Sequence, residues 1–442
     1  MKNKLLFTLG LMAATVSVNA QEPIIQTKYT ADPAPMVHND TIFLYTSHDE
    51  DDADGFKMLD WQMYTSTDMT NWTDHGTIAS LKDFKWVTKD NGAWAIQVVE
   101  RNGKFYMYCP IHGNGIGVLV ADSPYGPFKD PINKPLVWQK EHWNDIDPTV
   151  FIDDDGQAYM YWGNPEVYYV KLNEDMISYS GDIVKLDYKI EHYQEGPWFY
   201  KRNGKYYLAF ASTCCPEGIG YAMSDNPTGP WKTKGYIMAP TEKTRGNHPG
   251  IMDYKGKSYV FGQNYDLLRR EMKEHHERRS ISAAQMFYNS DGTIKEVPYW
   301  KETSVEQIET FNPYRRVEAE TMAWGYGLKT EMFDKGGLYV TNIDNGEFIC
   351  VKGVDFGNKG SDKFTVNAAS TKNGGIIEIR MDSADGKVAG IVKVEPTGSL
   401  SNYKLMSCKL KDVSGKHDLY ITFKGDDVKD LFNLDYWMFN KK

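Results

Sequence analysis

An all-β fold, a five-bladed β-propeller followed by a β-sandwich of jelly-roll type, is predicted by three features of the sequence. The first is a hairpin that recurs five times, as HNDTIFLYTS, RNGKFYMYCP, DDGQAYMYWG, RNGKYYLAFAS and YKGKSYVFGQ, each with a tight turn ahead of alternating aromatic and aliphatic residues. That is the pattern of paired strands with one buried face. The second is a turn that follows several of these hairpins, at STDMTNWTDHG from Ser66, ADSPYGPFKD from Ala121, NEDMISYSG from Asn173 and SDNPTGPWKTKG from Ser224, and delivers an aromatic to an outer strand. A unit of roughly 50 residues with about four strands, repeated in this way, builds propeller blades. The third is a break near residue 300, after which short alternating runs such as GEFICVKGVDF, GIIEIRMDS and FNLDYWMFN are divided by Gly and Asp turns, as in a small antiparallel sandwich.

Taken in chain order, Lys2 and Lys4 precede an apolar stretch from Leu5 to Val18, and Val18-Asn19-Ala20 fits a small-residue cleavage site. Residues 1–20 therefore read as a signal peptide, which predicts a secreted or periplasmic protein, and the apolar run is too short to span a bilayer. Residues 21–300 carry the propeller, 301–312 form a polar linker without the hairpin repeat, and 313–442 form the sandwich. The charged stretch LLRREMKEHHERR from Leu267 is expected to be an insertion or solvated loop. Among the five cysteines, Cys350 and Cys408 share the C-terminal region and are the expected pair, whereas adjacent Cys214 and Cys215 are awkward partners. Two neighbouring thiols also supply too few ligands, at poor geometry, for a metal.

Composition excludes some partners. The chain has 442 residues, with 25% charged and 41% hydrophobic, an ordinary globular balance for two domains. Its net charge of -10 comes with no concentrated basic patch, so neither nucleic acid nor membrane insertion is expected. Aromatics reach 14%, which a strand-rich core explains first and sugar stacking second.

The chemistry lies ahead of the hairpins. Asp32, Asp147, Glu195 and His248 each stand eight or nine residues before the last residue of a turn, usually against Pro or Gly. They are expected to hold the same structural place in four blades and to converge on the axis. The fifth copy, WAIQVVERNG, has Trp94 or Ala95 there. Three carboxylates gathered in one funnel are costly unless they share protons or work. Glycoside hydrolysis uses such a set, with one acid to protonate the leaving oxygen and one carboxylate to activate water or attack carbon. His248 reads as a central histidine, satisfied by neighbours or holding a metal or water.

ADPAP at Ala31, NDIDPTVFIDDDGQAYMYWGN from Asn144, EGPWFYKRNGKYYLAF from Glu195 and NHPGIMDYKGKSY from Asn247 resemble glycoside hydrolase family 43 in content and order. The resemblance implies a five-bladed propeller and an inverting mechanism. It implies Asp32 as general base, Glu195 as general acid and Asp147 as the residue that raises and orients that acid. It places His248 near the axis, where the family often holds calcium or water. It also places Arg279 against the sugar, with Arg278 as the competing register, and Trp94 beside the terminal sugar pocket. RVEAETM from Arg316, NIDNGEFICVKGVDFG from Asn342, SGKHDLYITFKG from Ser414 and FNLDYWMF from Phe432 resemble a family 6 carbohydrate-binding module. That likeness implies a structural calcium on Glu318, Glu320 and Asp435, whose oxygen ligands suit the ion, and a sugar-binding Asn433. Asn342 and Leu400 stand where that family clamps a sugar between aromatics, with Tyr339 and Tyr403 close by in sequence. No organic cofactor is implied. The expected activity is removal of α-L-arabinofuranosyl, or β-D-xylosyl, groups from plant cell-wall arabinoxylan. The alternatives are an endo-acting arabinanase or xylanase and, in another class, a non-catalytic glycan-binding propeller.

Overall fold

The hairpin repeats become antiparallel sheets in the computed structural model, which describes residues 23–300, 305–334, 336–371, 374–426 and 429–442. The segment read as a signal peptide, 1–20, and the first part of the linker, 301–304, lie outside the described residues. The first sheet holds β1 (Tyr29–His38), β2 (Thr41–Asp49), β3 (Asp60–Ser66) and β4 (Trp72–Ser80) in chain order. The second holds β5 (Gln97–Arg101), β6 (Lys104–Ile111) and β7 (Gly115–Ala121). The third holds β8 (Thr149–Ile152), β9 (Ala158–Trp162), β10 (Tyr168–Leu172) and β11 (Tyr179–Lys185), and the fourth β12 (Tyr193–Arg202), β13 (Lys205–Ser212), β14 (Glu217–Ser224) and β15 (Lys232–Thr241). The last holds β16 (Gly250–Tyr254), β17 (Lys257–Asn264) and β18 (Ser280–Met286). The hairpin turns lie where the repeat puts them, because Asn102-Gly103 and Asn203-Gly204 both take the left-handed backbone that tight turns between twisted strands require.

The start of each sheet points to one place. Asp32-Pro33, Ala95-Ile96, Asp147-Pro148, Gly196-Pro197 and His248-Pro249 line a narrow axial cavity of about 20 Å³. The first and last sheets meet beside it, since a methyl group on Gly250 of β16 would fall 2.3 Å from the Pro33 carbonyl oxygen and 2.4 Å from Pro35 Cδ. Aromatic and aliphatic side chains between the sheets, among them Tyr45, Trp61, Met107, Tyr207 and Val260, form the main core of this propeller.

Between β17 and β18 the charged stretch departs from the expected loop. Residues Asp266–Glu271 form α1, one short helix that buries Leu267 and Leu268 against Tyr29 and Tyr265. Two adjacent leucines supply enough apolar surface to dock the segment, which charge counting concealed.

The C-terminal region is a two-sheet sandwich. Its strands are β19 (Val317–Glu318), β20 (Thr321–Met322), β21 (Trp324–Tyr326), β22 (Lys329–Met332), β23 (Leu338–Thr341), β24 (Phe348–Asp355), β25 (Ser361–Ala369), β26 (Gly375–Met381), β27 (Val388–Val394), β28 (Lys404–Val413), β29 (Lys416–Lys424) and β30 (Asn433–Lys441). One sheet runs β22-β23-β30-β25-β28 with β19 beside β30, and the other β21-β24-β29-β26-β27. Val340, Ile349, Phe364, Ile421 and Trp437 meet between them. The remaining strand, β20, crosses over to extend the first propeller sheet beside β4, with Thr321 opposite Thr73. Asn71 exchanges two hydrogen bonds with the Lys352 backbone, at 3.0 and 2.9 Å, so the sandwich is fastened to the propeller. Domain periodicity in the sequence gives no sign of this shared strand.

The cysteine expectation is corrected. Cys214 and Cys215 form a disulfide with each other, and Cys350 and Cys408 are free. Cys350 lies on β24 against Phe348 and Tyr420, whereas Cys408 lies on β28 in the opposite sheet, so their backbones run in different layers.

Candidate active site

Inner-strand backbone shapes the funnel. Asp32 and Asp147 both take a left-handed conformation, with φ of 54° each, immediately before proline. Such a backbone is unfavourable for a residue with a side chain and is typical of a site that needs one aimed off the strand. The pairing of β1 with β2 slips between Ala31 and Ala34, which turns Asp32 inward. Aligned on proline, the equivalent residue of the fourth sheet is Gly196, with φ of 57°, not Glu195. The expectation of one shared position therefore holds for Asp32, Asp147 and His248, and Glu195 stands one residue earlier. A side chain at Gly196 has no room, because its first carbon would lie 2.6 Å from His248 Cγ.

His248 organises the acids. Its Nδ1 lies 3.1 Å from Asp32 Oδ1, out of line for a hydrogen bond, and its Nε2 lies 3.6 Å from Glu195 Oε1 and 3.9 Å from Asp147 Oδ2. Burial works against a charged imidazole, but the Asp147 and Asp32 carboxylates hold its pKa well above the ordinary value. Asp32 also accepts Ser47 Oγ at 2.5 Å and Arg279 Nη1 at 3.3 Å, while its N–H donates to Gln263 Oε1 at 2.7 Å. Burial would raise its pKa, yet Arg279 and then His248 hold it well below the usual carboxylate range. Asp147 goes the other way. Burial first, opposed by His248 and assisted by the Glu195 and Asp32 charges, pushes it up to about 7, although Oδ2 accepts the Gly196 N–H at 3.1 Å. Glu195 Oε2 accepts a hydrogen bond from Asn164 Nδ2. Similar acids thus sit in opposed environments, the arrangement by which one fold keeps a base ionised and a proton in store.

The acids open into a cavity of about 170 Å³ walled by Trp94, Phe56, Met58, Trp143 and Arg245. Trp94 serves both readings, packing against the core and lining this cavity, with its ring 4.2 Å from that of His112. Of Arg278 and Arg279, it is Arg279 that lines the funnel. It makes a forked pair with Asp49, from Nε at 2.9 Å and Nη2 at 2.8 Å, and reaches Asp32, whereas Arg278 turns away to the Ala53 carbonyl. With its donors on two carboxylates, Arg279 orients Asp32 as well as walling the cavity.

Sequence reasoning missed Asn164, Arg245, Trp143 and Glu217. Glu217 on β14 is buried, accepts the Asn247 N–H through Oε2 at 3.2 Å and is pushed up to about 7 by burial and by Glu195. Its signal was the second Glu-Gly pair of the chain, in CCPEG, which lies outside the hairpin repeat.

In the sandwich, Glu318 and Asp435 both face Arg316, at 2.7 and 3.3 Å, while Glu320 Oε2 is buried without a hydrogen-bond partner and its carboxyl is pushed up to about 9 by burial. The three charges influence one another, but their oxygens are not drawn into one tight cluster as the carboxylate oxygens of Asp147 and Glu195 and a ring nitrogen of His248 are. Asn433 is buried, accepting Thr341 Oγ1 at 2.9 Å and donating to the Leu400 carbonyl at 3.3 Å. Nearby, Phe333, Tyr339 and Tyr403 pack their rings 4.8 to 6.2 Å apart, so both tyrosines do lie at this edge.

A propeller whose funnel holds buried carboxylic acids in opposed environments, joined to a sandwich, defines a glycoside hydrolase with an accessory module. Residues 20–294 match the glycosyl hydrolases family 43 model, and 318–441 match the carbohydrate binding module of family 6. The chain belongs to glycosyl hydrolases family 43. It is 35% identical to an arabinoxylan arabinofuranohydrolase of Paenibacillus polymyxa over 94% of this chain and 74% of the relative. It is 33% identical to another of Bacillus subtilis over 96% of this chain and 93% of the relative. A crystal structure of an arabinoxylan arabinofuranohydrolase from Bacillus subtilis, in complex with cellotetraose, superposes with a TM-score of 0.84 at 32% identity, covering 96% of this chain and 98% of that one. Among the described residues no helix is long and apolar enough to cross a membrane.

Proposed function

We propose that the protein removes single α-L-arabinofuranosyl groups from arabinoxylan by one displacement with inversion, in a closed five-bladed propeller. The observation that carries this reading is the position of Asp32 and Glu195 against opposite nitrogens of one imidazole, His248. The ring holds the two carboxyls apart in the sense an inverting hydrolase needs to admit water, where the separation is about 6.5–9.5 Å. The cavity is smaller than common ligand pockets of about 300–1,000 Å³, which suits one sugar ring more than a bound chain.

In the reaction Glu195 gives its proton to the glycosidic oxygen as the bond from that oxygen to the anomeric carbon breaks. Asp32 takes a proton from water, whose oxygen attacks the anomeric carbon from the opposite face. The products are free sugar of inverted configuration and a polymer hydroxyl, and the two carboxyls regain their starting states by exchange with solvent. His248 and Arg279 keep Asp32 ionised, and Asp147 helps to retain the proton that the acid spends. Proton NMR of arabinoxylan digests tests the reading. Arabinose of inverted configuration, with the xylan chain length unchanged, is the expected first product. Shortened xylan or arabinan fragments would place the activity among endo-acting enzymes, retention would exclude single displacement, and binding without cleavage would leave a non-catalytic propeller.

The sandwich is read as a carbohydrate-binding module with a structural calcium. The set Glu318, Glu320 and Asp435 is all oxygen, and the unpartnered Glu320 oxygen fits a hard cation. Calcium is therefore expected to raise the thermal midpoint of the wild type and not that of Glu320→Gln, as followed by calorimetry; equal shifts in both would remove Glu320 from the ligand set.

A further inference from the structure

Glu217 is 2% exposed, as buried as Asp32 and Asp147, yet it comes from β14 and not from an inner strand. Its Oε2 accepts the Asn247 N–H at 3.2 Å and its carbonyl accepts Thr244 Oγ1 at 3.0 Å, so this residue fastens the segment that carries Arg245, Gly246 and His248. A methyl group on Gly246 would lie 3.4 Å from Glu195 Oε1 and 4.0 Å from Glu217 Oε2. Both carboxyls therefore border that glycine.

The charged groups facing Glu217 are Glu195 from β12 and His248 and Arg245 from the fastened segment; the Cys214–Cys215 disulfide beside it carries no charge. Burial and then Glu195 push its pKa up to about 7, against His248 and the Asn247 N–H. Anchoring a segment needs an acceptor oxygen, which an amide provides without the cost of burying a second acid beside the first.

We propose that Glu217 is a second positioning carboxylate, which flanks Glu195 and, together with Asp147, keeps one proton within the Asp147–Glu195–Glu217 group for delivery to the leaving oxygen. The inference rests on Glu195 being the general acid.

Glu217→Gln tests it, since glutamine keeps the size and the carbonyl oxygen for Asn247 but removes the charge. The alkaline limb of kcat/KM on arabinoxylan is expected to move down by about one pH unit with KM little changed, and Glu217→Asp, which restores the charge, is expected to move it back. An unmoved limb in folded Glu217→Gln protein overturns the proposal and leaves Glu217 as an anchor. A second measurement does not depend on that variant folding: in carboxyl carbon NMR, the Glu217 titration midpoint is expected to fall on Glu195→Gln substitution, and an unchanged midpoint also overturns it. Retained polymer hydrolysis by Glu195→Gln is a different failure, that of the acid assignment itself.

Discussion

Glu195→Gln is expected to release arabinose from arabinoxylan about 10²–10⁴-fold more slowly than the wild type, the usual worth of a positioned general acid. On a nitrophenyl arabinofuranoside the loss is expected to be far smaller, because nitrophenolate leaves without a proton. Asp32→Asn is expected to lose both activities alike, since water must be activated whichever group departs. The contrast between substrates, measured as kcat/KM, separates the two roles. Equal losses on both substrates in Glu195→Gln would contradict the acid assignment, and full activity in Asp32→Asn would contradict the base. Gln and Asn preserve size at both positions, and their effect on the fold is read from circular dichroism of the same samples.

The second large effect is on stability. Arg279→Met is expected to destabilise the propeller by about 3–5 kcal/mol, the range for breaking a buried ion pair and stranding its partner. Arg279 is 5% exposed, and it serves Asp49 and Asp32, which are 0% and 4% exposed, so both carboxylates lose their guanidinium at once. The pH dependence follows from Asp32. Burial raises its pKa, but Arg279 and then His248 carry it below the unfolded value. Its contribution is therefore present above the ordinary carboxylate range and lost only as pH falls through the depressed folded value. Without Arg279 the depression shrinks, so acid unfolding is expected to begin at higher pH. Urea midpoints across an acid series check this, and parallel curves for wild type and variant would show that Arg279 does not hold Asp32 down.

Much of the site was legible because it is written in a repeat. A side chain at a near-constant offset from a hairpin turn must reach a near-constant place, which is why Asp32, Asp147 and His248 could be gathered from spacing alone. The same logic misplaced Glu195 by one residue. The fourth inner strand keeps its proline in register and sends glycine where the others send a functional side chain, because His248 fills the space above Gly196. Offsets of eight and nine cannot reveal that exchange, since turn length and strand register both contribute to them.

By itself, then, the sequence determined the all-β class, the hairpin units, the change of rhythm near residue 300 and the convergence of Asp32, Asp147 and His248, all of which follow from short-range periodicity and turn chemistry. Tertiary structure alone decided what depends on contacts between distant segments. The strand at Thr321–Met322 joins a propeller sheet, Cys214 bonds to Cys215 while Cys350 and Cys408 lie in separate layers, and Glu217 reaches Asn247 and the neighbourhood of Glu195. The electrical division of labour belongs to the same category. Asp32 and Asp147 share residue type, a following proline and backbone conformation, yet one is held ionised by Arg279 and the other is pushed toward protonation by burial. That difference comes from Arg279, 247 residues from Asp32 along the chain, and no local pattern in the sequence contains it.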